Sequence, residues 1–186
     1  MLQWNQKREI MKDFIATIQT AIIGTLDSKG HPFSSYAPYV YDNNRFYVYI
    51  SDIATHAKNL QKSPSASLFF VEDESKTDNL FARKRISLQC DSQKIERGSE
   101  RFEKVLGLFA KKFDAKMVGT LKKMLDFNLY EFKVMYGEAT FGFGKAYFVG
   151  GENMDKLIAR GESNPHHGVK WEALHVKIFI WNLAKI

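Results

Sequence analysis

The chain has 186 residues, of which 45% are hydrophobic, and its formal net charge at pH 7 is +6. This length predicts one domain over residues 1–186, and no apolar run is long enough to span a membrane, so no membrane association is expected. The single cysteine, Cys90, excludes an internal disulfide and, with a charged N-terminus, predicts a cytoplasmic protein. The basic residues are not interleaved with aromatic residues in a strip, so nucleic acid is not an expected partner, whereas small anionic ligands remain open.

The first predicted elements are a helix and three strands. Apolar residues at helical spacing predict an N-terminal helix over residues 1–18. Three strands follow between residues 20 and 51, with turns at 27–30 and 42–44. Between positions 46 and 50 apolar and tyrosine side chains alternate, which is typical of a strand covered on both faces.

The rest of the chain continues in the same way. A short helix ends before Pro64, and strands are predicted over residues 65–74 and 82–96. Residues 98–125 form a helical insertion, and residues 128–149 return to strands with glycines at a bend. Short antiparallel strands interrupted by helices predict a small barrel, with a groove that a partner subunit can cover. The apolar stripe of the insertion consists of Phe102, Val105, Leu106, Phe109, Phe113, Met117, Leu121 and Met124.

Three segments contain candidate site residues. Arg83, Lys84 and Arg85 are predicted inside one strand, where alternation places the two arginines on one face, suited to a phosphate or carboxylate. A charged, soluble edge strand explains the same pattern. Asp126 stands between large apolar residues at a helix-to-strand junction. It is either a carboxylate with a specific partner or an ordinary turn residue. His56, the third candidate, lies on the short helix. The alternative to a role in a site is an ordinary surface position.

A histidine pair lies near the C-terminus, in the stretch SNPHHGVK. Pro165 and Gly168 predict a loop around His166 and His167. A histidine on such a loop is either solvent-exposed or able to reach a metal. The pattern alone leaves both readings open.

Several strings resemble the HugZ/HutZ haem-utilisation proteins of the pyridoxamine 5'-phosphate oxidase-like split-barrel superfamily. They are SYAPYV (35–40), FYVYIS followed by ATHAKNL, LFFVEDE (68–74), LFARKRIS (80–87), LDF (125–127) and GFGKAYFVGG (142–151). The resemblance implies a mainly β fold, a six-stranded antiparallel split barrel with attached helices, that forms a homodimer. Flavin members of the superfamily bind FMN at the dimer interface through a lysine near the short helix. His56 stands at that position here, which favours haem as the cofactor and leaves FMN as the alternative.

The resemblance also implies roles for individual residues. A histidine of the C-terminal loop ligates haem iron, which gives His166 or His167 as metal ligand, with a preference for His167. Asp126 accepts a hydrogen bond from that histidine, and Arg85 faces the haem. Residues 160–186 would then form the haem-ligand loop and an apolar tail, whose His175 is a rival ligand. Further cofactor-binding residues are Thr20, His56 and Arg83.

The activity implied by the resemblance is oxidative degradation of haem, which releases iron for growth. Haem would be both cofactor and substrate, and the sequence does not identify the electron donor. Two alternatives remain, a haem carrier or storage protein without turnover and an FMN-dependent oxidoreductase. One departure concerns Phe141, which stands where the family often has a basic residue.

Overall fold

A computed structural model describes residues 2–151, 153–154 and 156–160. Over these residues it contains four α-helices and eight strands, with two short 3-10 turns at Glu74–Lys76 and Leu80–Ala82. No described helix is both long and apolar enough to cross a membrane. In chain order the elements are α1 (Leu2–Thr17), β1 (Thr20–Leu26), β2 (Pro32–Asp42), β3 (Arg45–Ser51), α2 (Thr55–Lys62), β4 (Ser65–Val71), β5 (Arg85–Ile95), α3 (Glu100–Lys112), α4 (Ala115–Lys123), β6 (Phe127–Thr140), β7 (Ala146–Gly150) and β8 (Lys156–Ala159).

Six of the strands close into an antiparallel barrel. Their order is β3-β2-β1-β4-β5-β6, and the pairing of β3 with β6 closes the ring. Strands β7 and β8 continue the sheet beyond β6. Strands β5 and β6 approach so closely that a Cβ at position 137 would lie 2.4 Å from the carbonyl oxygen of Ser87, so only glycine fits there. The predicted mainly β, six-stranded antiparallel barrel is confirmed.

The protein has two hydrophobic cores that share strand β3. Phe46, Val48 and Ile50 point into the barrel, where they join one buried cluster. Tyr47 and Tyr49 point outwards into a second cluster with residues of α3 and α4. The alternation in the sequence therefore marked a strand buried on both faces, as predicted.

The helical insertion is broken in the middle. Helix α3 ends before Phe113, and Asp114 caps α4 by accepting a hydrogen bond from the backbone N–H of Met117 at 2.5 Å. The break resets the helical phase, so Val118 is buried while Met117 and Met124 are exposed. The prediction of one continuous stripe through both methionines was wrong for this reason.

Candidate ligand site

A cleft of about 930 Å³ lies between α1 and the barrel, where β1 begins and β4 ends. We call it the α1 cleft. Phe14 of α1 contacts Phe141 edge-on with ring centroids 6.1 Å apart, and Tyr147 lies 6.2 Å beyond Phe141. These three rings form an apolar wall, and the volume is in the range of small-molecule sites. Phe141, the departure from the family pattern, therefore contributes to the wall of the cleft.

Thr20 lines this cleft, and Arg85 lies on the neighbouring strand beyond it. Thr20 and Val71 both line the cleft. Val71 pairs with Arg85 across the β4–β5 ladder, so Thr20 and Arg85 are about two strand spacings, roughly 10 Å, apart. Both occupy outward-facing positions of their strands. The structure thus brings these two predicted site residues together.

The guanidinium of Arg85 is only partly engaged. Its Nη1 donates to the carbonyl oxygen of Arg83 at 2.9 Å, and the side chain is half-buried. Within the described part of the chain Arg85 has no carboxylate partner. Its remaining N–H groups are therefore available to an anionic ligand or to water.

Arg83 lies outside the strand in which it was predicted, and its cofactor-binding role stays a prediction. Strand β5 begins at Arg85, and Arg83 follows the 3-10 turn at Leu80–Ala82. Its Nε donates to the carbonyl oxygen of Glu72 at 2.6 Å, and its Nη1 donates to Glu74 at 2.8 Å. The prediction that Arg83, Lys84 and Arg85 share a strand was wrong, because the turn places Arg83 and Lys84 ahead of the regular ladder. The side chain of Arg83 fastens the loop between β4 and β5.

Three lysines, Lys76, Lys84 and Lys145, line the α1 cleft. Lys84 lies 3.2 Å from a carboxylate oxygen of Glu72 and is partly neutralised by it. Lys145 lines the same cleft, and no ion pair to it occurs among the described residues. Lys145 therefore supplies a cation four residues after Phe141.

Asp126 lies where the helical insertion enters β6, as predicted. Its Oδ2 accepts a hydrogen bond from Ser51 Oγ at 2.5 Å, so the carboxylate has a specific partner. Its carbonyl oxygen accepts from the backbone N–H of Asp52 at 2.8 Å. Arg85 pairs with Thr140, at the other end of β6, which is roughly 45 Å from Asp126 along the strand. Within one chain, Asp126 and Arg85 are not neighbours.

His56 lies in the first turn of α2, half-buried against the barrel. Its Nδ1 is 2.8 Å from Ser35 Oγ, within hydrogen-bonding distance. Burial lowers the pKa of His56 below its ordinary value of 6.5, because desolvation disfavours the charged imidazolium. His56 is therefore uncharged at neutral pH and does not act as a permanent cation.

The outer face of β1, β2, β4 and β5 is not covered by any described helix, and we call it the open face. Cross-strand pairing places Tyr36 beside Ile22, and Ile22 beside Phe69. The next row places Gly24 between Ser34 and Ser67. Tyr36 is 68% exposed and Ile22 is 40% exposed. Apolar side chains thus border a shallow trough of small residues, and Thr20 and Arg85 lie at one end of this face.

The sequence predictions missed two residues, Ser51 and Lys145, and three of the predicted histidines lie outside the described residues. Ser51 and Lys145 were not singled out, since nothing local connects Ser51 with a carboxylate 75 positions away. The GFGK string contains Lys145, but only the fold shows which cleft its side chain lines. His166, His167 and the rival His175 lie outside the described residues.

The chain is similar in sequence to a known protein family and to one of its named relatives. A family profile for pyridoxamine 5'-phosphate oxidase matches residues 8–141. The chain is 35% identical over 157 residues to a Vibrio cholerae serotype O1 protein named heme oxygenase HutZ, covering 84% of this chain and 88% of that one.

Two solved structures are similar in fold and sequence. The Vibrio cholerae HutZ crystal structure, described as a heme storage protein, has a TM-score of 0.63 and 34% identity, covering 67% of this chain and 87% of that one. Campylobacter jejuni ChuZ has a TM-score of 0.78 and 30% identity, covering 89% of this chain and 67% of that one.

Proposed function

Because this chain belongs to the pyridoxamine 5'-phosphate oxidase family, and within it to the HugZ/HutZ-type group, we propose that it binds haem and degrades it oxidatively to release iron. The observation that carries this proposal is the α1 cleft, which combines an aromatic wall with lining lysines. The partly engaged Arg85 lies next to it in the sheet, paired with the lining residue Val71. Haem is a flat apolar macrocycle with two carboxylates. An apolar wall with nearby cations suits both parts of that molecule.

The residues present fit haem better than FMN. A flavin phosphate is held best by permanent cations. At the position where flavin members have a lysine, burial keeps His56 uncharged at neutral pH, and its Nδ1 is already engaged with Ser35. Three lysines, Lys76, Lys84 and Lys145, line the α1 cleft together with its aromatic wall, and their ammonium groups suit the carboxylates of haem.

We also propose that the active form is a homodimer joined through the open face. Its exposed Tyr36 and Ile22 would be covered by the same surface of a second copy, as in an isologous interface. The distance between Asp126 and Arg85 along β6 supports this arrangement. A site that uses both residues takes Asp126 from one protomer and Arg85 from the other.

The iron ligand in this proposal is His166 or His167, with Asp126 as acceptor for the other ring N–H. A carboxylate in that position fixes the imidazole tautomer and makes the ring a stronger donor to the metal. Bound haem supplies the iron centre at which oxygen chemistry takes place. Arg85 would donate N–H groups to the bound ligand or to ordered water. Thr20 and the aromatic wall would orient the macrocycle.

The test is a titration of the purified protein with haemin and, separately, with FMN. We expect a Soret band at one haem per protomer and weak FMN binding. Addition of ascorbate under air should then bleach the band, with catalase present to exclude attack by free peroxide. Tight stoichiometric FMN binding with weak haem binding would reverse the proposal in favour of a flavin oxidoreductase.

The ligand assignment is tested with histidine variants. The double variant His166→Ala/His167→Ala should lose the ligand-dependent Soret signature and most turnover while it remains a folded dimer, and His175→Ala serves as the matched control. Normal haem binding by the double variant, with loss in His175→Ala, would move the ligand into the tail.

Haem storage is the second candidate, because the HutZ crystal structure is described as that of a heme storage protein. The two candidates share the binding step and differ only in turnover. A stable Soret band under ascorbate and air, with no open-chain product and no released iron, would select storage.

A further inference from the structure

We infer that Ser51 is a positioning residue for Asp126. Ser51 ends β3, and its Oγ donates to Asp126 Oδ2 over 2.5 Å, a length typical of a charge-assisted O–H···O⁻ hydrogen bond. The same Oγ accepts a hydrogen bond from the backbone N–H of Ile53 at 3.2 Å. Because the backbone occupies a lone pair of Oγ, the hydroxyl proton is directed at the carboxylate.

The strand ladder holds both partners of this hydrogen bond. Ser51 pairs with Phe127 where β3 meets β6, which brings the end of one strand beside the start of the other. The carbonyl oxygen of Asp126 accepts from the backbone N–H of Asp52 at 2.8 Å and from Asn128 Nδ2 at 3.2 Å. The backbone of Asp126 is therefore fixed at two points, and Ser51 fixes the side chain at a third.

This arrangement leaves one carboxylate oxygen for a ligand. No donor to Asp126 Oδ1 occurs among the described residues, and the side chain is only partly buried. With Oδ2 held by Ser51, Oδ1 is presented in one direction. A single oriented acceptor suits one N–H donor, such as an imidazole. The inference rests on the proposed function, in which Asp126 accepts the N–H of the iron-ligating histidine.

Ser51 would affect the metal ligand only through Asp126, and this effect can be measured. A carboxylate that keeps its orientation maintains the hydrogen bond that strengthens the imidazole as a donor. Loss of the Ser51 hydroxyl frees the side chain to rotate, so the hydrogen bond to the imidazole weakens. Such outer partners of a metal ligand change affinity or activity by roughly 10–100-fold, and we expect Ser51→Ala to fall near tenfold.

The experiment uses the full chain with ferrous haem. Resonance Raman spectroscopy measures the iron–histidine stretching frequency, which falls when the imidazole N–H loses its acceptor, and a haem titration measures affinity. We expect Ser51→Ala to lower the frequency in the same direction as Asp126→Asn but by less. Ser51→Thr, which keeps the hydroxyl, should restore the wild-type frequency. Ser92→Ala is the matched control, since it removes a strand hydroxyl that has no hydrogen-bond partner among the described residues.

Each outcome distinguishes the inference from the proposed function. A wild-type frequency and affinity in Ser51→Ala, with both changed in Asp126→Asn, would overturn the role of Ser51 and leave the haem proposal intact. No change in either variant would remove Asp126 from the site as well. If Ser51→Ala does not fold, Ser51→Cys replaces it as the weak-donor variant, and an unchanged frequency there overturns the inference. A wild-type protein that does not bind haem would overturn the proposed function itself.

Discussion

The two sides of the barrel surface differ in what covers them. Over β3 and the adjoining parts of β2 and β6, helices α3 and α4 bury Tyr47, Tyr49 and Leu129 in the second core. Arg101 of α3 also pairs there with the buried Glu131 of β6. On the outer face of β1 and the neighbouring part of β2, Ile22 and Tyr36 remain exposed, and no described helix covers them. The outer face of the barrel is thus covered by helices of the same chain on one side and exposed on the other, where we propose that a second copy binds.

If the open face is the dimer interface, as proposed, this difference separates the residues that stabilise the single chain from those that join two chains. On the covered side, large side chains contribute to the folding free energy of the single chain. On the open side, similar side chains would contribute to the proposed association of two chains. Substitutions on the two sides should therefore affect different measurements.

The largest expected effect comes from the covered side. Phe102 of α3 is 1% exposed and packs edge-on against Tyr49, with ring centroids 6.1 Å apart. Phe102→Ala should lower the free energy of unfolding by about 3–5 kcal/mol, since it removes one buried ring and leaves a cavity. Urea denaturation followed by circular dichroism measures the change. Lys111→Ala, at an exposed position of the same helix, should stay within about 0.5 kcal/mol.

A smaller effect on folding, but a large one on assembly, is expected on the open side. Tyr36→Asp places a charge in the proposed dimer interface, where desolvation and self-repulsion across the two-fold axis oppose association. The variant should be a folded monomer at micromolar concentration in light scattering, with the secondary structure of the wild type. Lys29→Asp, in the exposed turn after β1, is the control and should remain dimeric. A dimeric Tyr36→Asp protein would place the interface elsewhere.

The smallest expected effect is a pH dependence at His56, on the helix that follows the covered strand β3. Its folded-state pKa is lowered by burial, so the unfolded chain binds more protons at this residue just below pH 6.5. Its contribution to stability is therefore complete above about pH 6.5 and is lost as the pH falls. His56→Asn should flatten the stability profile between about pH 5 and 7. Paired urea titrations of both proteins measure this, and identical slopes would contradict the assignment.

Much of the fold was predictable because its signals are local. Alternation at positions 46–50 indicated burial on both faces, and turns rich in Asp, Asn and Gly separated the first strands. Predictions were wrong where a local break in a helix or strand shifted the periodic pattern of the residues that follow or precede it. The cap at Asp114 exposed Met117, and the 3-10 turn before Arg83 moved this arginine out of the strand. Both breaks depend on a few backbone angles that periodicity does not record.

The sequence by itself determined the residue types of the site and their order along the chain. The family resemblance of the sequence predicts Thr20, Arg85 and Asp126 as site residues and His56 in place of a lysine. Only the tertiary structure decided which of these residues are neighbours. It placed Thr20 near Arg85, Asp126 at the far end of β6, and Ser51 against a carboxylate 75 positions away. Proximity in a closed barrel depends on the register of strands distant in sequence, and no local pattern encodes that register.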